Sequence, residues 1–518
     1  AIAACLGLVP AAALADRPVR PGGHVGPMLA PYTGAPPSVS GTWTKVAAVF
    51  PGGSPGTALL MTDGTVLMHD SCTRDWYRLT ADAGGGYVGG AWRRMDRMAS
   101  NYSPLYFASA VLPDGRLLMN GGEYNGASCS PVWTTLGALY DPVANNWTAV
   151  APPSGWSQIG DAASAVLPNG NYMLQSVSGK LQAIGTVTPR PGTSVTWAAT
   201  GTGKADNNDE EGWDVLANGD ILTLDTNRSL GSNTPAELYS PTTGAWTAAA
   251  TAPSILVDPS SHEIGPAVRL PDGSVFQTGA KSCASASCKG HTAVYGPTGT
   301  WTAGPDFPAI SGDNYDVTDG PVAILPGGNV LVQASPAYGC GSAFCSPSHF
   351  FEFDGASLTR VNEPATAPNV AAFEGRMLVL PTGQILWSDG RPDDVEVYTP
   401  VGSPRKAWKP KVTGVSATLV RGQANYLLSG TRLHGVSNGA AYGDDAQMVS
   451  SYPIVRITNI GSGHVCFGVV HDHATDHTSF DMPAATPPAW EQPCDVGASH
   501  LQAIVNGIAS KNVAVTVQ

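Results

Sequence analysis

The sequence predicts an all-β protein, a seven-bladed β-propeller followed by an immunoglobulin-like β-sandwich. Three observations carry this. First, a phrase of apolar run, turn and apolar run occurs seven times, beginning with TALLMTDGTVLMHD (57–70) and returning in forms such as ASAVLPDGRLLMNGG (108–122) and RMLVLPTGQILWSDG (376–390). The residues before the turn glycines are Asp63, Asp114, Asn169, Asn218, Asp272, Gly327 and Thr382, at intervals of 49 to 55 residues. A period near fifty with a hairpin at one fixed place is the mark of a propeller, one copy per blade. Second, 61 Gly and 43 Pro in 518 residues suit a turn-rich all-β chain. Third, the last stretch of about 110 residues consists of short alternating strands, the pattern of a sandwich.

In chain order, residues 1–15 form an apolar run ending in Ala13-Leu14-Ala15. This small-x-small ending reads as the back of a secretory signal cut after Ala15. The protein is then secreted, to the periplasm or the medium. Residues 16–40 are rich in Pro and Gly and read as an extended arm. The blades occupy 41–400. Each inner hairpin has Asp-Gly or a relative, which suits the positive φ of tight turns. Outer phrases such as ALYDPVANNWTAV (138–150) and ELYSPTTGAWTAA (237–249) add a second hairpin with a Tyr strand and a Trp strand. Trp43, Trp92, Trp147, Trp246 and Trp301 are expected to pack between blades as scaffold. Residues 401–411 are a short linker, and 412–518 form the sandwich.

Nine cysteines become eight once Cys5 leaves with the signal. An even number in an exported chain predicts four disulfides. Proximity along the chain groups Cys283 with Cys288, Cys340 with Cys345, Cys466 with Cys494, and Cys72 with Cys129, without fixing the connectivity. The net charge of −13, with only 13% charged residues, argues against nucleic acid, which needs a basic surface, and against anionic membranes. Beyond the leader no segment approaches the ~18 apolar residues of a membrane span.

The repeated LPDG hairpins and the phrase YPIVRITN (452–459) in the last unit resemble the galactose oxidase and glyoxal oxidase superfamily, over nearly the whole mature chain. The resemblance implies a kelch-type propeller and sandwich. It also implies a copper ion on the axis, held by a Tyr cross-linked to a Cys, a Tyr beside a His, and a His from the last domain. Tyr106 stands where the cross-linked Tyr belongs. Pro55 stands in place of the Cys, Phe373 and Glu374 in place of the Tyr-His pair, and Tyr442 to Asp445 contain no His. A copper-radical oxidase of alcohols or aldehydes is thus the alternative reading, and copper the less expected metal, because copper(II) prefers imidazole nitrogen.

The position eight residues before each turn residue gives Pro55, Tyr106, Asp161, Glu210, Ile264, Asp319 and Glu374. Glu211, His262, Glu263 and Asp316 are close neighbours. Inner strands start near the central channel, so these acids are expected to face one space. Two carboxylates across a bound sugar can cleave a glycosidic bond, one as general acid and the other as base or nucleophile. The expected function is therefore a secreted glycoside hydrolase acting on carbohydrate without a required cofactor. Its candidate pairs are Glu374 with Asp161 and Glu210 with Asp319, assisted by Tyr106 and His262. Three alternatives stand beside it. The same acids suit Ca²⁺; they also suit bonding to backbone N–H groups of a neighbouring blade; and the third alternative is a non-catalytic glycan- or partner-binding protein. His471, His473 and His477 form a further polar cluster, placed in a solvated loop.

Overall fold

The computed structural model describes residues 40–126, 128–283, 285–441 and 448–518. The expected leader and nearly all of the arm lie outside the described residues. Among the described residues seven antiparallel blade sheets follow in order, five of four strands and two, those of blades 5 and 6, of five. Blade 1 consists of Pro55–Leu60, Val66–Asp70, Trp76–Thr80 and Ala91–Arg94. In blade 7 the outermost strand comes from the other end of the propeller. Thr42–Lys45 pairs antiparallel with Val395–Thr399, Trp43 opposite Tyr398. This closes the ring by joining first strand to last, and the closure brings Trp43 against Phe350, Trp387 and Tyr398.

The repeated hairpin is not a two-residue turn. In blade 2, Gly115 N–H bonds Leu112 O and Leu112 N–H bonds Arg116 O. This is a type I turn closed by one left-handed glycine, the three-residue hairpin with a bulge. Only the glycine has positive φ, +83° at Gly115 and similar at Gly64, Gly170, Gly219, Gly273, Gly328 and Gly383. The preceding Asp or Asn has a different task. Its Oδ1 accepts the N–H two residues on, as at Asp63 (3.0 Å), Asp114 (3.1 Å) and Asn218 (3.1 Å), which locks the turn. Pro at the second turn position, as in LPDG, supplies the φ a type I turn requires.

The outer Tyr and Trp strands pair as expected, Tyr140 opposite Trp147 and Tyr239 opposite Trp246. Several of the Trp residues also tie blades together. The indole N–H of Trp92, Trp147, Trp197 and Trp43 donates to the carbonyls of Ala48, Asp96, Ala151 and Asn362 respectively.

From Lys411 onward, nine strands fold over a core that includes Leu428, Val455, Ile457, Phe480 and Leu501. This sandwich reaches into the propeller. Ala440–Ala441 pairs antiparallel with the inner strand of blade 5, Ala440 opposite Val268, so a segment of the last domain runs along the channel. Four disulfides join Cys72–Cys129, Cys283–Cys288, Cys340–Cys345 and Cys466–Cys494. Among the described residues no helix is long and apolar enough to cross a membrane.

Candidate functional site on the propeller axis

The inner strand of each blade begins at one end of the axis and reaches its hairpin at the other. At the beginning, Tyr106, Glu210 and Asp319 share more than their offset. All three are left-handed, with φ of +49°, +57° and +55°. A non-glycine residue in that region is uncommon and costs backbone energy, so three equivalent blades impose the same sharp bend there. The bend aims consecutive side chains in different directions, which separates Glu210 from Glu211.

Glu210 joins Glu263 of blade 5 and Asp319 of blade 6. One carboxylate oxygen from each lies within 4.8 Å of the others, and the three residues are 6%, 2% and 1% exposed. Like charges this close repel one another, and a proton or a cation at the group relieves the repulsion. Backbone contact helps hold the blades in step, Asp319 N–H reaching Ile264 O at 3.4 Å.

Glu211 turns away into a second acidic group with Asp206 and Asp225. There Lys204 supplies the counter-charge, with Nζ 2.7 Å from Glu211 and 2.5 Å from Glu237. Burial pushes the Glu211 carboxyl up to about 8 and that of Asp225 up to about 7. Lys204 fills this group and makes it a structural knot.

Glu374 starts no strand. It ends a single 3₁₀ turn, Ala372–Glu374, and its carboxylate accepts the Ala371 N–H at 2.9 Å. Burial, with Asp389 nearby, pushes Glu374 up to about 7. It lines a small pocket of about 50 Å³ with Tyr106, Arg376 and Asp389, and the Arg376 guanidinium lies 5.5 Å from the Tyr106 ring. Asp161 is buried and belongs to neither group of three acids. His262, also left-handed at +66°, bonds Asn227 Oδ1 through Nδ1 at 2.8 Å. Asp316 is fully buried, and burial pushes it up to about 8. Of the expected pairs, the structure brings Glu210 and Asp319 together. Beside them stands Glu263, which the sequence names as a neighbour of the offset position Ile264.

The copper ligand set can be tested on the same residues. Tyr106 shares a buried cluster with Tyr124 and the Cys72–Cys129 disulfide, so both nearby cysteines are bonded to each other. Pro55 begins the inner strand of blade 1, and Phe373 packs on Phe344 at 4.7 Å. The segment 442–447 lies outside the described residues and its sequence, YGDDAQ, has no His. The grouped donors are carboxylate oxygens, suited to hard cations rather than to a copper–phenoxyl centre. The residues present do not fit that centre, and no step through copper is derived.

No protein-family model matches the chain, and no curated protein matches it. Among solved structures, it is similar to a fungal alcohol oxidase of the AA5 family in complex with copper. The identity is 14%, the match covers 92% of this chain and 99% of that one, and the TM-score is 0.50. A streptogramin B lyase matches at 8% identity over 70% of this chain and 98% of its own, with a TM-score of 0.46. A virginiamycin B lyase from Staphylococcus aureus matches at 9% over 70% and 100%, with a TM-score of 0.45. At 14% identity the likeness to the oxidase is one of fold, and the chain has the propeller-and-sandwich fold that its resemblance to galactose oxidase and glyoxal oxidase implies.

Proposed function

We propose that the protein is a carbohydrate-active enzyme that cleaves glycosidic bonds at the acidic end of the axis, with Glu210 and Asp319 as the acid/base pair. The supporting observation is the grouping of Glu210, Glu263 and Asp319 with carboxylate oxygens within 4.8 Å. Close carboxylates split their protonation. One holds a proton and serves as general acid; its ionised neighbour serves as nucleophile or base. Glu263 keeps the pair from ionising together. Retaining enzymes set the two carboxyls ~5–5.5 Å apart and inverting enzymes ~6.5–9.5 Å apart, so the tight group favours retention. Tyr106 and His262 are assigned to orienting the sugar, and Glu374 and Asp161 to the surrounding polar wall. Four disulfides are compatible with the secreted setting this function needs.

The test is turnover on a panel of polysaccharides and aryl glycosides, with and without EDTA. Glu210→Gln and Asp319→Asn should each lower kcat by roughly 10²–10⁴-fold in folded protein. Full activity in both variants, or glycan binding without turnover across the panel, overturns the reading. Hydrogen peroxide produced from an alcohol with stoichiometric copper would replace it with the oxidase.

A second reading has its own support in the same group. Oxygen donors from three blades at this spacing suit a hard cation such as Ca²⁺. On that reading CaCl₂ raises the Tm of the wild-type protein and leaves Glu263→Gln unmoved; equal effects on both exclude it.

A further inference from the structure

The far end of the channel has the opposite character. Between the inner strands of blades 2 to 5 and the sandwich segment that enters the channel lies a cavity of about 840 Å³. That volume is within the ~300–1,000 Å³ of small-molecule sites. Its walls are largely apolar, with Val111, Ala165, Trp213, Val215, Ala440 and Val449 among them. Arg269, His434 and His473 are the basic residues of the lining, and Asp272 at a hairpin is its acid.

Arg269 rises from the inner strand of blade 5 and crosses to blade 4, where Nη1 donates to Val215 O at 3.0 Å. A guanidinium has five N–H donors, so several are left over. Among the described residues no carboxylate forms an ion pair with it. Asp214 acts on it from a longer distance, and burial pushes Asp214 itself up to about 7, so its charge is incomplete at neutral pH. His434 makes no hydrogen bond among the described residues, and its ring lies 5.4 Å from that of His473. Burial and then Arg269 pull the His434 pKa down, as expected for two basic groups side by side. A guanidinium cannot shed its proton. A partly buried charge without a partner is costly, and an incoming anion removes that cost. The chain carries −13 overall, so any attraction for anions here is local.

We propose that this cavity binds an amphipathic organic anion, its carboxylate on Arg269 and His434 and its apolar body against Trp213 and Val215. Arg presents a planar fork that matches a carboxylate in two parallel hydrogen bonds. The site is separate from the three acids at the other end and stands whether or not those acids are catalytic.

The experiment is a fluorescence titration of the full chain with 8-anilinonaphthalene-1-sulfonate, an anion with an apolar body, alongside the neutral N-phenyl-1-naphthylamine. The anionic probe should saturate a single site and be displaced by decanoate. Arg269→Gln should weaken it at least about tenfold, the scale of a lost charge-assisted pair, and His434→Gln should weaken it less. The neutral probe should not distinguish Arg269→Gln from wild type. Near-UV circular dichroism must stay native in each variant, because loosened folds also take up the anionic probe. Should Arg269→Gln fail that check, Ala217→Trp at the exposed rim keeps Arg269 and narrows the mouth, and it should reduce binding with Tm unchanged. Absence of saturable binding, failure of decanoate to compete, or equal affinity in a folded Arg269→Gln or Ala217→Trp protein overturns the proposal.

Discussion

Neighbouring residues in this chain have unlike fates, and Glu210 and Glu211 are the clearest case. One joins the axial acids and the other the Lys204 knot, because the left-handed bend at Glu210 redirects the chain between them. Counting back from the hairpin finds both residues, yet it cannot tell which faces the channel. His471 shows a simpler local balance. Its Nε2 lies 3.1 Å from Asp481 Oδ1 and its Nδ1 2.7 Å from Asp472 Oδ2, so it ends a strand with bonded partners on both sides. The hydrogen bond to Asp481 holds the His471 pKa above its ordinary 6.5. Burial works against ionised Asp481, but the bond from His471 outweighs it and holds that carboxyl below 3.8. The raised histidine stabilises the fold fully below about 6.5 and loses that contribution as pH rises through its folded pKa. The depressed aspartate contributes above about 3.8 and loses it as pH falls. His471→Gln should therefore cost roughly 0.5–1 kcal/mol near pH 5.5, the scale of a part-exposed pair, and almost nothing at pH 9. Urea melts at the two pH values check it; an equal loss at both would mean that packing, not the ion pair, is what His471 contributes.

The hairpin and the closing strand are the elements on which the ring depends. At Gly115 a Cβ would meet Thr62 Oγ1 at 2.7 Å and Val470 O at 3.0 Å, besides sitting at φ +83°. Gly179 has a similar φ, +75°, with nothing within 4 Å. Gly179→Ala should cost the conformational part alone, about 1–2 kcal/mol. Gly115→Ala should cost visibly more, since blade 1 and the sandwich both press on that site. Denaturant midpoints of the two variants give the comparison, and equal shifts would remove the crowding argument. Trp43→Ala tests the closing strand. It removes three aromatic contacts and the indole bond to Asn362, and should cost about 2–4 kcal/mol, with early exchange of the Val395–Thr399 amides. Seven blades, their register and the Tyr–Trp outer strands were legible in the sequence because the signals are local: a turn, its Pro and Gly, and alternation on either side. The bulge in the turn was not, since Asp-Gly serves both hairpin types. Nor were the 3₁₀ turn at Glu374, which rests on Ser335 of the blade before it, or the entry of Ala440–Ala441 beside Val268, whose partner lies in the other domain. In blade 5 the offset itself falls on Ile264, and Glu263 enters only as its neighbour, because an offset fixed by one blade slips by a residue where the next bends differently.

At the scale of the whole molecule, the burial of so many acids has a consequence for stability. Burial pushes Glu211 and Asp316 up to about 8 and Asp214, Asp225, Glu374 and Glu396 up to about 7. An acid with a raised folded pKa contributes stability below its unfolded value that is lost as pH rises through the folded one. All six therefore act in the same direction between about pH 4 and pH 8. The buried histidines oppose them only on the acid side. Burial pulls His69 down to about 4 and His473 down to about 3, so their contribution is present above 6.5 and falls away as pH drops. Nothing in this set compensates the acids above pH 6.5. Tm should peak near pH 5–6 and decline by several degrees by pH 8.5, measured by calorimetry at fixed ionic strength. Asp316 isolates the cause, since both its oxygens are buried and burial outweighs what Lys281 and Thr318 do to hold its charge. Asp316→Asn keeps the shape and cannot ionise, so it should raise Tm at pH 8.5 and leave it almost unchanged at pH 5. A Tm that holds steady or climbs from pH 5.5 to 8.5, or an Asp316→Asn effect of the same size at both ends, would mean that these acids are charged and compensated in the folded protein.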